Sequence, residues 1–396
     1  MIHFDFSKTS TKDFEDIQGM NIFQRAEAFQ GYLDYLDNNG FLNYLLKAKS
    51  GCNSEGELAE TKHIKNGSYV SFVCNDYLGF TQHPKIKEAV KNAVDQFGTG
   101  AGASPLIGGY FDFHKQVEDK ISKFFKKPEG STIIYTTGYT ANSASLLGLL
   151  KKQDLAIVDM AVHASVYEGL TGTNSKRFLH NDVESLERIL SRSTSEYQTK
   201  IVIIDGVYSQ DGDIAKLEEI IKITHHYGGL ILVDDAHGIG VLGKTGRGAM
   251  ELFNVLDKVD IITGTFSKTF GNVGGYLVAD PSIVTYLKYQ SRQYAFSASA
   301  PATVLGVAKA IDLIDEEPHW QKQLWDNINY FKNGLLEIGL TIGATESAII
   351  PVKIGDMYKN SETAKILLEN GIYTNPIMYP AVSIKDSRIR MSVMAT

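Results

Sequence analysis

Short β-branched runs alternate with helical patterns between residues 70 and 280, and that alternation restricts the chain more than any other feature. The runs are "YVSFV" (69–73), "TIIYTT" (132–137), "LAIVD" (155–159), "KIVIID" (200–205), "LILVDD" (230–235), "DIITGT" (260–265) and "GYLVAD" (275–280). Helical stretches such as "HKQVEDKISKFFKK" (114–127) and "KLEEIIKITHHYG" (216–228) separate several of them. Apolar runs of strand length with helices between them predict an α/β domain whose mainly parallel sheet is covered on both faces. Ligands of such sheets bind beyond the carboxyl ends of the strands, so the residues that end a strand carry the functional information.

The rest of the chain divides around this pattern. Residues 1–60 read as an N-terminal helical arm ("IFQRAEAFQGYLDYL"), 61–295 as a large cofactor-binding α/β domain, and 296–396 as a smaller C-terminal α+β domain. A length of 396 residues, 43% of them hydrophobic, supports a sizeable core. The net charge of −7 argues against a nucleic-acid binder held by electrostatics. Cys52 and Cys74 are the only cysteines and neither sits in a C-x-x-C pair. Neither a disulfide framework nor a metal site is therefore expected, and a reducing, cytoplasmic setting fits. No run approaches the roughly 20 apolar residues that span a bilayer, which leaves open only peripheral contact at the inner membrane.

One stretch suggests a nucleotide site. Gly238 to Thr245, in "GIGVLGKTGR", fits G-x-x-x-x-G-K-[ST], the loop that wraps phosphates in many nucleotide hydrolases. A phosphate loop follows a strand and opens directly into a helix at its Gly-Lys-Thr. Here Gly246 and Gly248 would fall in the first helical turn, each costing up to about 1 kcal/mol relative to alanine. The preceding run also ends in two acids, poor neighbours for a triphosphate. A hydrolase is the remote alternative. The earlier run "GTGAGASPLIGG" (98–109) fails the dinucleotide fingerprint in register, although its length suggests that something approaches the backbone closely.

A different set of residues coheres. Asp234 ends an apolar run, His237 follows, and "GTFSKTFG" (264–271) places Thr265, Ser267 and Lys268 at the end of the next run. Singly, they read as a helix-capping acid, a satisfied loop histidine and an exposed lysine. Jointly, they suggest a pyridoxal 5'-phosphate site: an amine for a Schiff base, a carboxylate for the pyridine nitrogen and donors for the phenolic oxygen. Thr265, Ser267 and the amides of "TTGYTAN" at a helix start would cradle the phosphate.

The chain resembles the α-oxoamine synthases, pyridoxal phosphate enzymes with the fold type I architecture of the aminotransferases. The likeness runs through "NDYLGF" (75–80), "GTGAGASPLIGGYFDFHKQVE" (98–118), "TTGYTANSA" (136–144), "DMAVHAS" (159–165), "FLHND" (178–182), "DGVYSQDGDIAKL" (205–217), "VDDAHGIGVLGKTGRG" (233–248), "GTFSKTFGNVGGY" (264–276) and "RIRMS" (388–392). In that family the Gly-Lys-Thr-Gly-Arg-Gly stretch is a recurrent loop. The resemblance implies that Lys268 forms the Schiff base and moves the α-proton, that Asp234 pairs with the pyridine nitrogen, and that His237 bonds the phenolic oxygen. It implies that His163 stacks on the ring and touches the substrate carboxylate, and that Gly138 and Tyr139 give amides to the phosphate. Thr265 and Ser267 add hydroxyls, Ser297 reaches the phosphate from the other chain of a homodimer, and Asn75 and Arg390 position the amino-acid carboxylate.

Phe266-Ser267 stands where synthases using glycine or alanine more often carry Leu-Gly, and serine palmitoyltransferases resemble the version seen here. "YPAVS" (379–383) likewise looks like a mobile proline-containing loop of that subfamily. The resemblance therefore implies a decarboxylative condensation of L-serine with palmitoyl-CoA to 3-oxosphinganine. A glycine-using 2-amino-3-oxobutyrate CoA ligase or another α-oxoamine synthase is the alternative. Met378, where some bacterial relatives carry arginine, and "ASP" (103–105), in place of a commoner Gly-Ser-Arg, depart from the pattern.

Overall fold

The computed structural model describes residues 4–65, 67–193 and 196–396. One sheet holds the strands β1 (Thr132–Tyr135), β2 (Leu155–Asp159), β3 (Asn174–Phe178), β4 (Lys200–Asp205), β5 (Leu230–Asp234), β6 (Ile261–Thr265) and β7 (Gly275–Val278). Their order across the sheet is β1-β7-β6-β5-β4-β2-β3. The pairs from β6 to β3 are parallel, whereas β7 runs antiparallel to both β6 and β1. Every residue of β2 and β4 is buried, as expected of strands covered on both faces.

Two strand assignments change. "YVSFV" does not enter this sheet: Ser68–Ser71 pairs antiparallel with Glu55–Glu57 and parallel with Ile372–Tyr373 in a small sheet of its own. The vacant place is taken by β3, "NSKRF", whose polar, largely exposed side chains carry no apolar signal. An edge strand needs only backbone pairing on one side, and its charges deter further pairing on the other.

The core lies between the sheet and its helices. Ile133, Val158, Ile203, Leu232 and Leu277 from five strands meet Ala141, Ala144 and Leu146 of the helix Gly138–Leu149. That helix is built from small residues on its buried side, so it lies close to the strand ends. Its first turn is capped by Thr137, whose Oγ1 accepts from the Thr140 N–H at 2.9 Å.

The chain forms two compact units, divided differently from the sequence-based boundaries. One comprises the segment up to Cys74 with Asn329–Thr345 and Ile349–Val393; the other comprises Asn75–Ile328, Glu346–Ala348 and Met394–Thr396. The presumed N-terminal arm thus belongs with C-terminal strands, and residues 296–328 belong with the large sheet. The helix Leu305–Glu316 shows why. A Cβ at Gly306 would come within 2.7 Å of Val90 Cγ2, and Asp312 pairs with Lys120 at 2.5 Å. In the smaller unit the helix Ile22–Asn39 starts on an Asn21–Gln24 capping box and ends on Gly40 at φ 74°. Its Tyr32 packs with Phe14 and Ile17.

The expectation of unpaired cysteines is corrected: Cys52 and Cys74 form a disulfide with Cα atoms 6.7 Å apart. The antiparallel register Glu55↔Val70 brings the outer ends of two strands side by side, and the cysteines lie just beyond those ends. Sequence spacing alone does not reveal that pairing, and the support it lent to a reducing compartment falls away. Thiol titration of the denatured protein should label neither cysteine without reductant and both after reduction. Cys52→Ser should lower unfolding stability by about 3 kcal/mol, the usual contribution of a short disulfide loop.

Candidate active site

The carboxyl ends of β2, β4, β5 and β6 present Asp159, Asp205, Asp234 and Thr265 along one edge of the sheet. A cleft of about 260 Å³ opens beside them. It gathers Gly138, Tyr139, His163, Asp234, His237, Thr265, Ser267 and Lys268 from separate loops of one unit. They are eight of the eleven site residues named from the sequence; Asn75, Ser297 and Arg390 are not in this lining.

Asp234 is buried at the cleft floor. Asn142 Nδ2 donates to its Oδ2 at 2.6 Å and the Ala236 N–H to its Oδ1 at 3.1 Å, so the acid is held in place and hydrogen-bonded. His237 is buried with Nδ1 2.6 Å from the Tyr77 hydroxyl, which also lies 3.3 Å from Asn75 Oδ1. Tyr77 is fully buried and was not singled out from sequence, where "NDYLGF" read only as a family signature. Lys268 stands in the connection from β6 to β7, whose backbone is tied by Phe266 N–H to Gly274 O at 2.9 Å and Gly271 N–H to Lys268 O at 2.9 Å.

An anion cradle lies at one end of the cleft. The first turn of the helix Gly138–Leu149 faces Thr265: a Cβ on Gly138 would stand 2.5 Å from Thr265 Cβ. Glycine is what lets the helix N-terminus, with its first amides and positive dipole end, reach the hydroxyls of Thr265 and Ser267. Those two hydroxyls lie 2.7 Å apart, and the Ser267 N–H donates to Thr265 Oγ1 at 3.1 Å.

His163 caps the short helix Ala164–Gly169. Its ring is open to the cleft on one side, yet the surrounding walls desolvate its charged form and lower its pKa. Asp234 opposes that effect and Lys268 adds to it. Asp205, which carries no signal in the sequence because "VIID" reads only as a strand, also lines the cleft. Burial, then the neighbouring charge of Asp234, holds its pKa well above the usual carboxylate range.

The phosphate-loop look-alike encloses carboxylates of its own chain. Asp235 is fully buried, and burial followed by its neighbour Asp234 pushes its pKa up to about 7. Its Oδ2 accepts the Ala249 N–H at 2.8 Å. A Cβ on Gly206, Gly238 or Gly248 would lie 2.4, 2.1 or 1.9 Å from its oxygens, so the glycines are the cage. Farther along the loop, Glu251 Oε2 accepts the N–H groups of Thr245 and Arg247 at 3.0 and 3.1 Å. The helix begins only at Ala249, after the loop has closed on these acids.

Other candidates fall elsewhere. Asn75 is not among the residues lining the cleft, and its Oδ1 accepts from the Tyr77 hydroxyl at 3.3 Å. Ser297 is exposed after the helix Arg292–Ala295 and does not line the cleft of its own chain. Arg390 belongs to the smaller unit, where it is buried in the strand Arg388–Ser392 with Nη1 donating to Ser392 Oγ at 3.0 Å. In the run 98–109 the close approach is the chain's own: a Cβ on Gly109 would meet Ala103 O at 2.3 Å.

An amine, a buried acid, a histidine and an anion cradle in one cleft fit pyridoxal 5'-phosphate. Lys268 would hold its carbonyl carbon, Asp234 its ring nitrogen, and Gly138, Tyr139, Thr265 and Ser267 its phosphate. Residues 68–396 match the family model described as aminotransferase class I and II. A serine palmitoyltransferase from Sphingobacterium spiritivorum is 39% identical over 82% of this chain and 82% of its own. The 8-amino-7-oxononanoate synthase 1 of Bacillus velezensis is 38% identical over 84% and 85%. A solved serine palmitoyltransferase variant from S. paucimobilis with a bound PLP–myriocin aldimine is similar over 95% of this chain and 94% of its own, at 29% identity and a TM-score of 0.88.

Two outcomes test this edge of the sheet. His180 lies 3.0 Å from Asp159 Oδ1 through Nδ1 and 2.9 Å from Asp213 Oδ2 through Nε2. Burial disfavours its charge, but the two aspartates outweigh it and push its pKa up to about 10. A folded-state pKa raised from 6.5 means that this stabilisation is full below about pH 6.5 and lost as pH rises through about 10. The Tm difference between wild type and His180→Gln should therefore shrink between those values in a thermal-melt series. Separately, Glu251→Ala should cost about 1–3 kcal/mol in denaturant unfolding, from two amides left without an acceptor. Millimolar ATP should leave Lys244 as open to acylation as in its absence.

Proposed function

The chain belongs to the aminotransferase class I and II family, as an α-oxoamine synthase dependent on pyridoxal 5'-phosphate, and from that premise we propose that it condenses L-serine with palmitoyl-CoA. The products are 3-oxosphinganine, CoA and carbon dioxide. The acyl carbon joins the serine α-carbon, the thioester C–S bond breaks, and the bond from the α-carbon to the carboxylate breaks.

The observation that carries the choice of serine is Phe266-Ser267 ahead of Lys268. Phe266 is fully buried and stacks on Tyr276 with centroids 5.5 Å apart, while Gly274 leaves room for its ring. That packing sets the start of the β6–β7 connection and turns the Ser267 side chain toward Thr265. A Leu-Gly version would supply neither the stacked ring nor the hydroxyl. The likeness in fold to a serine palmitoyltransferase over nearly the whole chain supports the same choice. The 38% identity to an 8-amino-7-oxononanoate synthase favours a second reading in which alanine is the amino acid.

Bound in the cleft, the cofactor supplies an electron sink for negative charge at the amino-acid α-carbon. Asp234 keeps a proton on the ring nitrogen, which that sink requires. Lys268 takes the proton from the α-carbon and returns it. His163 orients the carboxylate, with Asn75 and Arg390 as further carboxylate partners, and His237 donates to the phenolic oxygen. The partner subunit's Ser297 completes the phosphate cradle in a homodimer, a closed two-fold arrangement.

Product analysis with serine, glycine and alanine against short and long acyl-CoAs tests the reading. Serine with palmitoyl-CoA should exceed every other pair by at least about tenfold in kcat/KM, roughly 1.4 kcal/mol of selectivity. A preference for alanine with a short acyl donor would move the chain to the second reading. Borohydride should fix the cofactor to Lys268 in the wild type and leave Lys268→Ala unmodified.

A further inference from the structure

Asn142 and Ser165 were not singled out from the sequence, yet both are buried behind His163 and Asp234. Asn142 Nδ2 has two hydrogens and two acceptors: Asp234 Oδ2 at 2.6 Å and Ser165 Oγ at 3.0 Å. A flipped amide would set Asn142 Oδ1 against a carboxylate oxygen, so Asp234 dictates which end of the amide faces it. Having accepted from Asn142, Ser165 Oγ directs its own hydrogen elsewhere, and His163 Nδ1 stands 2.8 Å away. The Ser165 N–H points at the same nitrogen from 3.3 Å.

We propose that Asn142 and Ser165 are positioning residues that lock His163 as the neutral tautomer with its proton on Nε2. Two donors converge on Nδ1, so that nitrogen acts as an acceptor and the ring proton sits on Nε2. Nε2–H is then a donor set by the scaffold before any ligand arrives, and it needs no positive charge. The same amide gives one hydrogen to Asp234, so the acid and the histidine are tied to a single helix residue. The proposal deepens the reading of this cleft as a pyridoxal phosphate site and rests on it only for its catalytic consequence.

The groups around the ring agree with a neutral histidine. Lys268 opposes a second positive charge, Asp234 favours one but is engaged by Asn142, and the Asp205 carboxyl faces the His163 backbone N–H. On the open side, Tyr139 meets the His163 ring edge-on at 5.9 Å while its hydroxyl is engaged by Glu168. Desolvation by the cleft walls acts in the same direction.

The experiment is nitrogen NMR of the full chain labelled at histidine, with His163 assigned by His163→Gln, before and after loading with pyridoxal 5'-phosphate. Wild type should show His163 Nδ1 as an acceptor nitrogen and Nε2 as a protonated one in both states. Ser165→Ala should populate the second tautomer and raise the His163 titration midpoint by about one pH unit, the size of one hydrogen bond. Asn142→Ala should do the same to a smaller degree, because Ser165 keeps its hydroxyl. Both variants should still load cofactor at Lys268, and their loss should fall on kcat for condensation rather than on loading. Wild-type His163 protonated at Nδ1, or a His163 spectrum unchanged in Ser165→Ala, would overturn the proposal. The NMR readout precedes turnover, so it separates failure of this network from failure of the assigned reaction, which the wild-type product assay decides.

Discussion

A strand that ends in two consecutive acids inside a protein must satisfy both, and side chains that alternate along a strand send them to opposite faces. Asp234 goes to the cleft and meets Asn142; Asp235 goes behind it and meets Ala249 and a wall of glycines. The cleft therefore depends on the loop 238–248, which looks unrelated to it. Without the Ala249 N–H that Asp235 Oδ2 accepts, the buried carboxyl that follows β5 would lose a donor, and the position of Asp234 beside it would be disturbed. Thr269 adds a second tie, donating to Ile239 O at 2.7 Å from the residue after Lys268.

The glycines of the Gly-Lys-Thr stretch illustrate how one local chemistry serves different ends. Amides exposed by positive-φ glycines bind an anion, whether it is a phosphate or a carboxylate. Gly240, Gly243, Gly246 and Gly248 all have positive φ, and the carboxyl groups the loop encloses are Asp235, against Gly248, and Glu251, against Gly243. A sequence pattern reports the backbone geometry faithfully but is silent about whose oxygens fill it.

Strands buried on both faces were legible because their apolar runs are continuous: "KIVIID" could hardly be anything else. The residues that end them were legible for the same reason, and so Asp234, Thr265 and Lys268 emerged. What stayed hidden depends on distance in sequence. β3 carries no apolar signal, the Cys52–Cys74 pair depends on a register between short polar strands, and Tyr77 reaches His237 across 160 positions. Asn142 was hidden among the small residues of a helix whose periodicity is blurred by six consecutive buried positions, Ala141 to Leu146. Ser297, named by likeness alone, does not line the cleft of its own chain, and Arg390, named the same way, belongs to the other unit.

Because β7 runs antiparallel to β6, the chain turns back at once after Thr265 instead of crossing over through a helix. Lys268 is consequently carried on a short connection stitched at both ends, with Thr265 Oγ1 donating to Gly274 O at 3.1 Å. Its amine is confined to the reach of one side chain beside Asp234. A carbonyl group bound there meets that amine not at the concentration of lysine in solution but at the effective molarity of a tethered pair, which for well-oriented groups reaches roughly 10⁵ M and above. A single reversed strand thus turns a bimolecular encounter into an intramolecular one.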